Sequence, residues 1–175
     1  MKHLPLNMSK QLPFLPKDKK ISSKIRMVVF DFDGVFTDNM VFVNEKGEES
    51  VRCFRSDGLG LEKLKKAGIK IWVISTEKNP VVKLRLKKLQ LQFVNDLKNK
   101  EKSFRQIIAK EGLNLSQVAY VGNDINDIGC LKMSGVSIVT NDAYEEAKRF
   151  ADFITRKAGG LGAVREVCDW IIGKT

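Results

Sequence analysis

A doubly wound, Rossmann-like α/β fold built on a parallel sheet is what this sequence predicts, and three observations carry the prediction. Apolar runs at 27–30, 70–74 and 118–121 each stop abruptly at polar residues. Stretches between them carry leucine and isoleucine at helical spacing, so strand and helix alternate. The connections are short, as right-handed βαβ crossovers require.

Taken in order, the elements begin with a strand at 25–30. Strands at 40–43 and 50–54 flank Glu45-Lys-Gly-Glu48, a natural turn, and form a β-hairpin insertion. A helix at 57–67 turns Leu59, Leu61 and Leu64 inward and stops at Gly68. Then follow a strand at 70–74, a helix at 79–89, a short strand at Phe93-Val94, a helix at 101–111 and a strand at 118–121. A helix at 125–133, strand at 136–139, helix at 143–149, strand at 152–154 and helix at 161–172 complete the series. No repeat or low-complexity tract interrupts it.

The ends of three strands hold the chemistry. Alternation along 27–33 sends Asp31 and Asp33 to one side, and Gly34 lets the chain turn away so that carboxylates and backbone can face one ion. Oxygen-only ligands suit Mg²⁺, held through one or two carboxylates plus substrate phosphate and water. The bland alternative is an acidic turn closing a strand. The run at 70–74 ends in Ser75-Thr76 and the run at 118–121 in Gly122-Asn123-Asp124-Ile-Asn126-Asp127. In a doubly wound sheet these carboxyl ends converge on one crevice. Lys98, Lys100 and Lys102 precede the amphipathic run Phe104, Ile107, Ile108, so one lysine can stand at that helix start. Singly, Ser75 is a helix cap and a lysine is a solvated charge.

Composition narrows the class. A chain of 175 residues with 43% apolar and 30% charged residues can bury one good core. We expect a basic, proline-containing tail over 1–24 and a single domain over 25–175. The net charge of +10 is half in that tail, where six lysines face Asp18. Pro5, Pro13 and Pro16 make the tail irregular, with Leu12, Phe14 and Leu15 as a docking patch. What remains fits an enzyme that steers an anionic small molecule, and nucleic acid is not expected: Lys83-Leu-Arg-Leu-Lys-Lys88 reads as a solvated helix face. Cys53, Cys130 and Cys168 lack metal-ligand spacing and read as reduced packing residues of a cytoplasmic protein. No apolar run approaches the roughly 18 residues of a membrane span, and no signal-peptide core opens the chain.

From about Lys24 onward the sequence resembles the haloacid dehalogenase superfamily of Mg²⁺-dependent phosphatases. FDFDGVFTDN at 30–39 is the superfamily-wide motif. RSDGLGLEKLKKAGIK at 55–70, ISTEKNPVVKLRLKKL at 74–89 and KAGGLGAVREV at 157–167 are similar to the branch of octulosonate 8-phosphate phosphatases and the phosphatase-like domains of acylneuraminate cytidylyltransferases. The resemblance implies that Asp31 attacks phosphorus and Asp33 serves as acid and then base. It implies that Ser75 and a lysine hold the phosphoryl oxygens; spacing points to Lys100, with Lys98 and Lys102 near enough to serve. Metal ligands would be the Asp31 side chain, the Asp33 backbone carbonyl and the loop after Val121. Many relatives read Gly-Asp-Asp there, whereas Asn123 offers an amide that adds no charge and weakens Mg²⁺ binding unless Asp124 or Asp127 takes over.

Only 41 residues separate Asp33 from Ser75 and 24 separate Ser75 from Lys100, so no separate cap domain fits. The resemblance then implies that the hairpin at 40–54 covers a neighbour's site in a homotetramer; packing on its own domain is the bland alternative. The implied substrate is an octulosonate 8-phosphate or nonulosonate 9-phosphate, with Glu77-Lys78-Asn79-Pro80 tilting toward nine carbons. A weakly active oligomerisation domain partnering a cytidylyltransferase is the second expectation, and a phosphatase of nucleic-acid ends, suggested by charge, the third. Arg165, after Gly159, Gly160 and Gly162, is expected to grip a sugar carboxylate, against a plain role on a helix face.

Overall fold

The computed structural model describes residues 12–16 and 19–173. After a single helical turn, α1 (Lys19–Ser22), the chain enters β1 (Met27–Phe30), the hairpin strands β2 (Thr37–Val43) and β3 (Glu49–Cys53), and α2 (Asp57–Lys66). Then come β4 (Lys70–Ile74), α3 (Pro80–Lys88), β5 (Gln92–Val94), α4 (Lys100–Lys110) and β6 (Val118–Gly122). The last third holds α5 (Ile128–Met133), β7 (Val136–Val139), α6 (Glu145–Lys148), β8 (Phe153–Ile154) and α7 (Ala163–Ile171). Six strands form one parallel sheet in the order β5-β4-β1-β6-β7-β8, which bears out the doubly wound prediction.

Residue alternation divides the sheet's side chains between two cores. Val28, Phe30, Ile71, Val73, Ala119 and Val121 pack beneath α2, α3 and α7, with Leu61, Leu64, Val82, Leu86, Val164 and Val167. Met27, Val29, Trp72, Ile74, Val118 and Tyr120 face α4 and α5, meeting Phe104, Ile107, Ile108 and Leu131. A strand buried on both faces must be apolar throughout, and that is why these runs show no polar alternation. Truncating one such residue, for example Leu64→Ala, removes contacts worth about 2–5 kcal/mol.

Leu59, expected to face inward, is 63% exposed, because the buried stripe of α2 runs through Asp57, Gly60, Leu61 and Leu64. Two further expectations change. The helix expected over 125–133 is split: Ile125–Asp127 is a turn of 3-10 helix and α5 starts only at Ile128. The Asp124 carboxylate accepts from Ile125 N at 2.6 Å, and Asp127 folds back onto the loop, so local side-chain bonds displace the first helical turn. The other is the tail. Phe14 bridges Ile154 in parallel along β8, Ile154 N donates to the Pro13 carbonyl at 3.0 Å, and Trp170 Nε1 donates to the Pro16 carbonyl at 2.8 Å. Leu12 and Leu15 pack on this same domain, so the docking patch covers the sheet's own edge. The remainder of that tail, residues 1–11 and 17–18, lies outside the described residues.

The hairpin stands apart from the main sheet. Asn44 Oδ1 accepts from the backbone N–H groups of Lys46 and Glu48, and Gly47 takes φ +74°, which closes the turn. Met40 and Phe42 are 65% and 64% exposed, and Val41 and Val43 are exposed as well, so these side chains do not pack on their own domain.

Candidate active site

β1 lies between β4 and β6, so Asp31, Ser75 and Asn123 stand side by side at adjoining carboxyl ends. Asp31 N extends the ladder, donating to the Val121 carbonyl at 2.9 Å. Phe32 turns into the core and stacks on Phe36, 5.6 Å between centroids, anchoring the turn that presents Asp33. Gly34, at φ +78°, is needed twice over: a Cβ there would lie 1.9 Å from Asn123 Nδ2.

Of the three lysines, Lys100 is the one turned into the crevice. Its Nζ lies 2.8 Å from Asp31 Oδ1 and 2.8 Å from Asp127 Oδ1, buried with both carboxylates. Lys98 and Lys102 are exposed. The cause is local: the Asn99 side chain accepts from Lys102 N and starts α4 there, which aims Lys100 inward.

Asp127 is saturated. Oδ1 accepts from Lys100 Nζ and, at 2.6 Å, from Tyr120 OH; Oδ2 accepts from Asn123 N and Asp124 N. It therefore shapes the loop and places the lysine, and it has no face left for an ion. A Cβ on Gly122 would sit 2.5 Å from Asp127 Oδ2, so that glycine admits the carboxylate. Tyr120 was the partner that sequence reasoning missed; its position on the α4 face, two residues before Gly122, was the available signal.

Three observations bear on a cation. Asn123 Oδ1 is buried and has no hydrogen-bond partner, beside a buried Asp31 carboxylate. Asp124, half-exposed, is committed to its cap. Among the described residues no three His, Cys, Asp or Glu side chains cluster as a cage, so a cation here would draw on Asp31, the Asn123 amide oxygen and backbone oxygen. A buried amide oxygen with no protein donor, on the strand end next to that of a buried carboxylate, fits a hard cation.

Ser75 is buried, and its Oγ accepts from Glu77 N at 3.0 Å, which leaves the hydroxyl proton free to point into the crevice. Arg165 does not join the cluster. Its Nε donates to Asp169 Oδ2 at 2.6 Å and its Nη1 to the Ser56 carbonyl at 3.4 Å, so the guanidinium is spent between α2 and α7 rather than offered to a sugar carboxylate. The i,i+4 pairing of Arg165 with Asp169 was legible in sequence.

Burial raises the carboxyls of both aspartates. Burial, reinforced by Asp127 and only partly offset by Lys100, pushes the Asp31 carboxyl up to about 7. Burial, aided by Glu77, raises Asp33 to about 6 against the pull of Lys100. For Lys100, burial favours the neutral amine, but Asp31 and Asp127 outweigh it and hold the ammonium protonated. A group near 6 can both give and take a proton at neutral pH, and a cation set against Asp31 would draw it toward the anion.

Comparisons with known proteins bear on this arrangement. The family profile for haloacid dehalogenase-like hydrolases matches residues 84–167. The 3-deoxy-D-manno-octulosonate 8-phosphate phosphatase of Escherichia coli is 32% identical over 152 residues, 86% of this chain and 81% of that protein. The chain belongs to the haloacid dehalogenase-like hydrolases. This hydrolase is a phosphatase, and its fold matches a solved 3-deoxy-D-manno-octulosonate 8-phosphate phosphatase from Moraxella catarrhalis, crystallised with magnesium, phosphate and its sugar. That match has a TM-score of 0.85 at 31% identity and covers 90% of this chain and 91% of the other. N-acylneuraminate cytidylyltransferase A of Danio rerio is 32% identical over 163 residues, 91% of this hydrolase but 37% of that longer protein.

Proposed function

We propose that this phosphatase hydrolyses the phosphate monoester of a 2-keto-3-deoxy sugar acid, an octulosonate 8-phosphate or nonulosonate 9-phosphate, with Mg²⁺ and through an aspartyl-phosphate. The observation that carries the reading is the buried Asp31–Lys100 pair at 2.8 Å, with Ser75 on one neighbouring strand and the unpartnered Asn123 oxygen on the other. Substrate class rests on the octulosonate phosphatase relatives.

Asp31 attacks phosphorus, and the bond to the sugar oxygen breaks as Asp33 delivers a proton to it. Asp33 then takes a proton from water, which attacks the same phosphorus and frees the Asp31 carboxylate. Lys100 and the Ser75 hydroxyl hold the phosphoryl oxygens and stabilise charge spread over them in each displacement. Asp31, the Asp33 carbonyl and Asn123 Oδ1 would hold Mg²⁺, which would neutralise the repulsion between carboxylate and phosphate.

The exposed hairpin apolar residues support a homotetramer in which one subunit's hairpin covers a neighbour's crevice and keeps water out. The free thiols Cys53, Cys130 and Cys168 support a cytoplasmic location, and no helix among the described residues is long and apolar enough to cross a membrane. Asn123 favours one second reading, a weakly active assembly domain that partners a cytidylyltransferase.

Phosphate release from a panel of purified sugar phosphates with Mg²⁺ tests both. Asp31→Asn should lose at least ~10³-fold in kcat, since the amide keeps shape but not nucleophilicity. Wild-type rates from that variant would sink the mechanism, and inertness of the wild type toward every ester would favour the assembly reading.

A further inference from the structure

The segment that carries Gly159 and Gly160 packs directly against the main chain of the turn holding Asp33. A Cβ on Gly159 would lie 2.0 Å from the Gly34 carbonyl oxygen and 2.9 Å from that of Thr37. On Gly160 it would lie 2.4 Å from Asp38 N and 2.6 Å from the Thr37 carbonyl carbon, at φ +64°. Those obstacles are main chain, so no side-chain rotation relieves them.

Hydrogen bonds lock the two turns together. Gly160 N donates to the Val35 carbonyl at 3.1 Å. Gly159 N donates to Asp142 Oδ1 at 2.9 Å, which ties the segment to the loop after β7. From the other end of that loop, Thr140 Oγ1 donates to the Gly34 carbonyl at 3.3 Å. Inside the clasped turn, Thr37 Oγ1 accepts from Gly34 N and Asn39 N. The Gly34–Thr37 backbone is thereby held from outside as well as within.

We propose that Gly159, Gly160 and Asp142 are positioning residues for the hydrolytic reaction: they clamp the Gly34–Asp38 turn and so fix where the Asp33 carboxyl and carbonyl stand. The inference rests on the phosphatase reading above. Misplacement of a reacting group by about 1 Å costs ~10²-fold in rate, so a clamp of this kind acts on turnover more than on binding.

The test compares three variants with wild type, using p-nitrophenyl phosphate and Mg²⁺ well below the melting temperature of each. Gly160→Ala forces the clamp open. Asp142→Ala removes one anchor at an exposed residue and should fold even where Gly160→Ala does not. Gly68→Ala is the control: φ +72° gives it similar left-handed strain, with nothing within 4 Å of its Cβ. Gly160→Ala should lose ~30- to 100-fold in kcat with KM within about threefold, and Asp142→Ala about threefold to tenfold. Gly68→Ala should lose melting temperature but keep its kcat. Amide hydrogen exchange at Val35 to Asp38 should quicken in the first two variants alone. Retained kcat and protection in Asp142→Ala, or equal losses in Gly68→Ala and Gly160→Ala, would overturn the clamp. If the wild type cleaves no phosphate ester, the phosphatase reading fails, and the exchange data still decide whether the clamp exists.

Discussion

Asn123 places a neutral oxygen where a carboxylate would add charge to the cation's surroundings, and its Oδ1 is already desolvated and unpaired. Replacing it with aspartate supplies that charge at unchanged size. Asn123→Asp should tighten Mg²⁺ binding roughly tenfold in titration calorimetry, in line with affinity set by ligand charge. Equal affinity would show that Asn123 is no ligand. Asp57 is a residue outside the crevice whose ionisation bears on stability. It is fully buried; Oδ1 accepts from Arg165 N at 3.1 Å, capping α7 because Gly162 has no side chain to do so, and Oδ2 has no partner. Burial raises its carboxyl to about 7 from 3.8. The folded state therefore holds a proton that the unfolded state has released between those values, so the Asp57 contribution is fully present below about pH 4 and falls away as pH rises through about 7. Asp57→Asn should raise the melting temperature at about pH 8 and match wild type near pH 4; a gain that did not vary with pH would contradict this account.

Among the elements, the β2–β3 hairpin leaves apolar side chains without cover from its own domain. Two strands with exposed Met40, Val41, Phe42 and Val43 do not hold an apolar face in water by themselves. Phe42→Asp should convert the proposed homotetramer to monomers in light scattering at micromolar concentration, because a carboxylate cannot be buried unpaired in such an interface. A wild type that is already monomeric would remove the basis for a crevice covered by a neighbour. α4 shows a second kind of dependence: the Asn99 cap decides its phase, and that phase decides which lysine turns inward.

Across the whole molecule, legibility followed locality. The strand ends at Asp31, Ser75 and Asn123 could be read because an apolar run followed by polar residues needs no tertiary knowledge. Choosing Lys100 over Lys98 and Lys102 required the helix phase, and the bond from Arg165 to the Ser56 carbonyl required knowing that α7 packs on α2. The apolar tail residues Leu12, Phe14 and Leu15 gave no sign of which surface they cover, since an edge strand as short as β8 leaves little trace in sequence.

The central place of β1 also sets a timetable. Met27 pairs with Lys70 on one flank and with Val118 on the other, and Asp31 N waits for the Val121 carbonyl. Pairings this distant along the chain close slowly. A fragment covering 1–112 lacks β6 and leaves β1 open along a whole edge, so it should show no cooperative thermal transition by circular dichroism; a sharp one would refute the dependence. While the chain emerges from the ribosome, its first motif is thus made early and put to use late: Asp31 and Lys100 face one another as buried charges only after Asp127 has been synthesised to hold them.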